Sequence, residues 1–548
     1  MRALVLACAL LLAAGTARAK DDLTIGMTQF PATLHPMIDA MAAKSYVLGM
    51  VRRPLTTYDK DWKLVCLLCV DLPTVENGGA RPVALPDGTQ GMEVTFRLHP
   101  NAAWGDGRPV TAEDVILAWE IGKHPRSGVV AGESYRRILS VEARDPKTVV
   151  FTQDRVTFRY NDFSQFDPIP AHLERARFEQ DPETYRRRTG YDTDSANPGL
   201  YNGPYRIVAV QPGASIALEP NPHWYGAKPH FRRIFVRTIE NTAAMEANLL
   251  SGAVDYVAGE LGFTLDQALA LEKRHAARFD FVYVSSLLYE HIDFNLDHPA
   301  FKDARVRRAM IHALDRDGLV RQLFEGRQPV AHSFVAPRDP MHADTVPKLG
   351  FDLARAQALL VEAGYDRLVN GVRQNAAGER LSFEFGTTAG NRIRETVQQV
   401  LQSQWRRAGI EVRIRNEPAR VFFGDTLRQR RFQLAMYAWF SAPESVPRTT
   451  LHSESIPSEA NAWQGQNNPG VRSDAMDALI DAVERELDPA KRRPMWARMQ
   501  ALYAEEAWVL PLYFRADPFV IPKWLGGIEP NGHQYYSSLR VEYWRPRP

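Results

Sequence analysis

The chain has 548 residues, 45% of them hydrophobic and 10% aromatic, a composition that supports packed cores and excludes a disordered or low-complexity protein. Its 67 basic and 65 acidic residues nearly cancel, so no field draws it to nucleic acid or to an anionic membrane surface. The length exceeds what one core accommodates, and roughly two to four domains are expected.

The first residues, MRALVLACALLLAAGTARAK, combine Arg2, an apolar run from Ala3 to Ala14 and the small-x-small triplet Ala17-Arg18-Ala19. The run is too short to span a bilayer and reads as a secretory signal peptide over residues 1–19. Cys8 lies inside the run, and no cysteine stands where a lipoprotein would be acylated. The mature protein is therefore expected to be soluble, unanchored and periplasmic. Only Cys66 and Cys69, in KLVCLLCVDLP, would survive cleavage. Such a pair is open to four readings: a small structural disulfide, two buried thiols, a redox pair or half a metal site.

DDLTIGMTQF reads as a first strand, with Leu23, Ile25 and Met27 alternating. Strands follow in MEVTFRLHP (92–100) and KTVVFTQ (147–153), and between them VTAEDVILAWEIGK is a helix capped by Thr111. YRIVAVQPGASIALEPN gives two strands around Gln211-Pro212-Gly213, and FRRIFVRTI one more. DARVRRAMIHALDRDGLVRQLF is an amphipathic helical stretch, on which Arg305, Arg307 and Arg308 are expected to lie on a solvated face. After helix DLARAQALLVEAG the order is strand LSFEFGTT, helix IRETVQQVLQSQWRRAG, strand IEVRIRN, a helix near 421–430 and strand RFQLAMYAW. This β-α-β-α-β alternation implies a largely parallel sheet flanked by helices, hence an α/β class. Ligands in such sheets sit beyond the carboxyl ends of the strands, where Trp439 and Phe440 fall.

Several segments together resemble the large extracytoplasmic solute-binding proteins of peptide ABC importers, the dipeptide and oligopeptide receptors of family 5. They are FRLHPNAAWGDGRPVTAEDVILAWE (96–120), YNGPYRIVAVQPGASIALEPNPHWYGAKP (201–229), NTAAMEANLLSGAVDYV (241–257), FNLDHPAFKDARVRRAMIHALDRDGLVRQLFEGRQPVAHSFVAP (294–337), FDLARAQALLVEAGY and DPAKRRPMWARMQALYAEEAWVLPLYF (488–514). The resemblance implies a two-lobed periplasmic binding protein fold of type II, with an additional domain and a hinge between the lobes. On that pattern residues 20–60 and 201–282 build lobe I around an additional domain at 61–200. Residues 283–509 form lobe II, and 510–548 return to lobe I. The expected function is capture of a peptide or peptide-like solute by a monomer that delivers it to an inner-membrane permease, without chemistry and without a cofactor.

In the family the turn after the Trp439 strand usually reads W-x-x-D, its aspartate pairing with a peptide ammonium. Here the turn is Trp439-Phe440-Ser441-Ala442, so alanine replaces the carboxylate and Glu444 is the nearest substitute. This opens an alternative: a receptor for a non-peptide ligand such as a sugar conjugate, haem, a metal chelate or a modified metabolite. The resemblance also points to Phe30, His35, Tyr46, His332, Ser333 and Arg392 as lining residues; His35 and His332 are equally readable as hydrogen-bonded structural histidines. A periplasmic hydrolase or redox enzyme is the remote third reading, since neither G-x-S-x-G nor H-E-x-x-H occurs.

Overall fold

A computed structural model of the protein describes residues 20–38, 41–129, 132–461, 463–534 and 536–548. The expected signal peptide, residues 1–19, lies outside the described residues.

The alternation Leu23, Ile25, Met27 becomes the fully buried edge of strand Asp22–Met27. This strand is parallel to Tyr256–Val257 on one side and to Arg233–Thr238 on the other. Ser215–Pro220 and Tyr205–Gln211 complete the five-stranded sheet in antiparallel sense. The hairpin between those two turns at Pro212 and Gly213, where Gly213 takes φ +74° and the Ala214 N–H donates to the Gln211 carbonyl. A second, four-stranded antiparallel sheet runs Ala80–Ala84, Gln90–Arg97, Thr148–Gln153, Ile138–Asp145. Its buried Met92, Val94 and Phe96 share one core with the first sheet.

Helix Ala112–Lys123 is fixed to that core by the buried Asp114 carboxylate, which accepts from the Thr111 and Ala171 N–H groups and from the Trp104 indole. Burial raises the Asp114 pKa and these bonds hold it back only in part. The motif AWGDGRPVTAEDV is thus a folding device. Nearby, the Cys66 and Cys69 sulfurs are in bonding contact, with Cα atoms 5.4 Å apart, inside the span that a disulfide bridges.

The third sheet has the order Glu411–Ile414, Ser382–Gly386, Leu434–Phe440, Phe279–Phe294, Val509–Pro522. Its first three strands are parallel, with helix Arg392–Ala408 making the crossover, as the β-α-β pattern requires. The last two are antiparallel to their neighbours, so the sheet is mixed. Both long strands join two cores: Phe519 and Ile521 sit in the core of the first two sheets, Ile292, Phe294, Leu510 and Leu512 in a separate one. Their pairing register breaks between Ser285 and Tyr289, between those two cores.

One expectation is corrected here. Arg305 is exposed, but Arg307 is 4% exposed and donates to the carbonyls of Phe301, Lys302, Glu506 and Ala507. Arg308 donates to the Glu505 carbonyl. Helix Pro489–Glu506 ends with carbonyls that have no intrahelical partner, and these two guanidinium groups satisfy them.

Candidate functional site

Strand Phe279–Phe294 carries LLYEHIDF at its inner end, and strand period two sends Tyr289, His291 and Asp293 to one face. In the neighbouring strand Leu434–Phe440, Trp439 stands opposite Tyr289 and Tyr437 opposite His291. The rings of Tyr289 and His291 stack at 5.0 Å and 10°, and those of His291 and Trp439 at 6.3 Å and 13°. Below them Asp293 accepts from the Tyr437 hydroxyl, which itself accepts from the Asn468 amide at 2.8 Å. On the opposite face Glu290 pairs with Arg394 at 3.2 Å and with Arg515. Burial works against the Glu290 charge, but the two guanidinium groups outweigh it and hold its carboxyl below the usual range.

Three further segments roof the aromatic face: Phe334–Ala336 with Asp339, Ser445–Pro447 with Thr449–Leu451, and Trp496 and Tyr503 from helix Pro489–Glu506. Together they bound a cavity of about 890 Å³, its open mouth included. The turn Trp439-Phe440-Ser441-Ala442 forms the lip. Phe440 is 53% exposed, a large apolar surface that the protein's own core does not cover. Beyond the lip, Phe440 lines a second cavity with Met37, Ser45, Gln165 and Tyr536, and Ala442 a third with Arg137, Phe163 and Gln534. Those partners belong to the region built on the first two sheets. The lip residues Phe440 and Ala442 therefore face a cleft between two cores, while Trp439 lines the first cavity, all of whose lining lies within residues 287–509.

The sequence-derived candidates divide by position. Trp439, Phe440, Ser441 and Ala442 line these cavities. Glu444 has left-handed backbone, φ +53°; its carboxylate lies 3.5 Å from Arg492 and its N–H donates to Asp339. Phe30 packs on the first core, and Tyr46 is fully buried with its ring 6.2 Å from that of Tyr536. His35 is fully buried, its Nε2 3.1 Å from the Tyr185 hydroxyl and its Nδ1 accepting from the Met37 N–H. Burial, with Lys44 adding to it, pushes the His35 pKa down to about 3. Ser333 donates to Gln500 in the interior, and His332, whose pKa burial and then Arg316 push down to about 4, lies one residue before it. Arg392 is exposed at the start of its helix, two residues before the buried Arg394. His291, Asp293, Asp339, Trp496 and Tyr503 were not singled out from sequence. The alternation of LLYEHIDF was a usable signal for the first two; nothing local marks the others.

Among the described residues, no helix is long and apolar enough to cross a membrane. The family model for bacterial extracellular solute-binding proteins, family 5, matches residues 87–455, more than half of the chain. The oligopeptide-binding protein AppA of Bacillus subtilis is 24% identical over 412 residues, 73% of this chain and 70% of its own. The oligopeptide-binding protein of Thermus thermophilus, solved with a pentapeptide, is 30% identical with a TM-score of 0.72, covering 96% of each chain. NikA of Brucella suis, solved with Fe(III)-EDTA, has a TM-score of 0.76 at 21% identity, over 96% of this chain and 100% of that one. The chain is a member of the bacterial extracellular solute-binding proteins, family 5, with their two-lobed α/β architecture.

Proposed function

We propose that this protein is the extracytoplasmic receptor of an ABC importer, enclosing a peptide or peptide-like solute between its lobes and passing it to an inner-membrane permease. The observation that carries the reading is the lip at Trp439–Ala442: it stands at the end of a strand from one lobe, and its Phe440 and Ala442 line cavities completed by residues of the other. The naming of AppA and the pentapeptide held by the Thermus protein support a peptide-like ligand. On this reading residues 1–19 are a cleaved signal peptide, the mature monomer works in the periplasm, and Cys66–Cys69 is a structural disulfide. Lobe I takes in residues 20–60, 201–282 and 510–548, the additional domain 61–200 and lobe II 283–509. Capture and release need no bond chemistry, because affinity comes from burying the ligand as the lobes close.

One feature favours the second reading, a non-peptide or amino-blocked ligand. Position 442 is alanine, and the Glu444 carboxylate is drawn toward Arg492. The Brucella suis structure holds a metal chelate in the same fold. Native mass spectrometry of the protein taken from its own periplasm, followed by denaturing release, separates the two. A ladder of short free-amine peptides supports the first reading, and one discrete non-peptide mass the second. A protein that binds no organic solute under any such condition refutes both.

A further inference from the structure

The lobe II cavity has an unbalanced charge inventory. Among the described residues its lining includes two carboxylates, Asp293 and Asp339, and the His291 imidazole, but no lysine or arginine. Asp339 is 7% exposed, and its two oxygens accept the Met341 and Glu444 N–H groups at 2.8 Å each. No ion pair from a lysine or arginine reaches it among the described residues; Arg159, close enough to be felt, is paired with Asp162. Burial, reinforced by Glu444, pushes the Asp339 carboxyl up to about 6 against those two hydrogen bonds. A buried carboxylate without a cation is costly, and a cationic group brought by a ligand removes the cost.

A buried acceptor points the same way independently. His291 Nε2 belongs to a side chain that is 1% exposed and lines the cavity, and it has no hydrogen-bond partner among the described residues; the Trp496 indole N–H, also unpartnered there, can only donate and asks the solute for an acceptor beside the cation. The His291 Nδ1 lies 3.2 Å from the Tyr289 carbonyl, which can only accept. In the neutral ring Nδ1 therefore carries the proton and Nε2 is an acceptor. Asp293 Oδ1 stands 3.4 Å from Nε2, so two acceptors face each other across a gap that a ligand N–H would satisfy. Around these atoms the walls are aromatic: Tyr289, Trp439, Phe334 and Tyr503. Ring faces attract cations, the more so when both are withdrawn from water.

We propose that this cavity selects the solute by an organic cation, an ammonium or guanidinium group seated against Trp439, paired with Asp339 and donating to His291 and Asp293. The inference rests on the capture reading above and adds the ligand's charge class and its place in lobe II. An anionic group would bring a third negative charge into the cavity, and a neutral one would leave Asp339 uncompensated.

The test begins with the solute released from the protein, identified by mass spectrometry and titrated back by calorimetry. The expected solute carries an amine or a guanidine. Its affinity drops at least tenfold when the cationic nitrogen is acylated, and at least tenfold for the wild-type solute against Asp339→Asn. The acylated-solute comparison uses the wild-type protein and decides the matter even if Asp339→Asn fails to fold. A neutral or anionic solute, or equal binding of the acylated form, overturns the cation assignment and leaves capture standing. A protein that carries and binds no organic solute overturns the capture reading, and this inference with it.

Discussion

At position 442 an alanine methyl borders the cleft, at a point where two cavities meet. Placing a carboxylate there by Ala442→Asp adds a charge that a peptide ammonium can pair with. Affinity for free-amine peptides should rise about tenfold, or 1.4 kcal/mol, over their N-acetylated forms. Calorimetry with matched peptides checks this, and no gain for any free-amine peptide would mean that the turn does not touch the ligand. Glu290, in the neighbouring strand Phe279–Phe294, sits on the face opposite the cavity with its charge matched by Arg394 and Arg515. Glu290→Gln leaves two guanidinium groups without their anion and should cost about 3–5 kcal/mol in urea unfolding, where breaking buried pairs falls. Because the Glu290 pKa is lowered in the folded state, its contribution is full above the ordinary glutamate range. It is lost as pH falls through the depressed folded value. A loss below about 1 kcal/mol would place the pair among weak, solvent-screened bridges.

The strand Leu434–Phe440 does two jobs along its length. Its first four residues are buried, and its last three are half-buried or exposed where it reaches the cleft. Its backbone bonds are made within the sheet, so the side chains at that end are free to serve a ligand. Trp439→Ala should therefore lower solute affinity roughly 30-fold, the 2 kcal/mol of an aromatic hot spot, with little change in melting temperature. A large fall in melting temperature with unchanged affinity would make Trp439 a core residue. Helix Pro489–Glu506 is also divided: Trp496 and Tyr503 face the cavity while Arg307 and Arg308 bind the carbonyls at its end. Its position against the aromatic face is thus set by charge-assisted bonds as well as by packing.

Across the whole molecule, the two long antiparallel strands are the elements common to both cores, and titratable groups gather on them. Asp517 lies opposite Val284, at the last pairing but one before the register breaks. Burial first and Glu260 second push its carboxyl up to about 7, with Arg515 pulling the other way. Burial raises Glu260 as well, against bonds from Ser537. An aspartate raised in the folded state binds more protons folded than unfolded between about pH 4 and 7, so it subtracts stability as pH rises through that window and nothing further above it. His35 and His533, pushed down to about 3 and about 4 chiefly by burial, act in the reverse sense below the ordinary histidine range. The clean readout is therefore a difference: Asp517→Asn should gain stability relative to wild type as pH is raised from 5 to 7.5 in urea titrations. A difference independent of pH would show that Asp517 ionises normally.

Local sequence was enough for the elements whose causes are local. Alternation in DLTIGM and MEVTF, the Pro212-Gly213 turn and the β-α-β order from Ser382 to Phe440 all follow from rules that act within a few residues. So did the lip at Trp439–Ala442, because a strand's carboxyl end is a position in sequence before it is one in space. The tertiary structure decided the rest. The sheet became mixed because two distant long strands join it, and Arg307 left the solvent because a helix some 200 residues later presents carbonyls to it. The cavity chemistry is decided in the same way. Tyr289–Asp293, Phe334–Asp339, Trp439–Leu451 and Trp496–Tyr503 are separated along the chain, and only packing against one face of one sheet makes them neighbours.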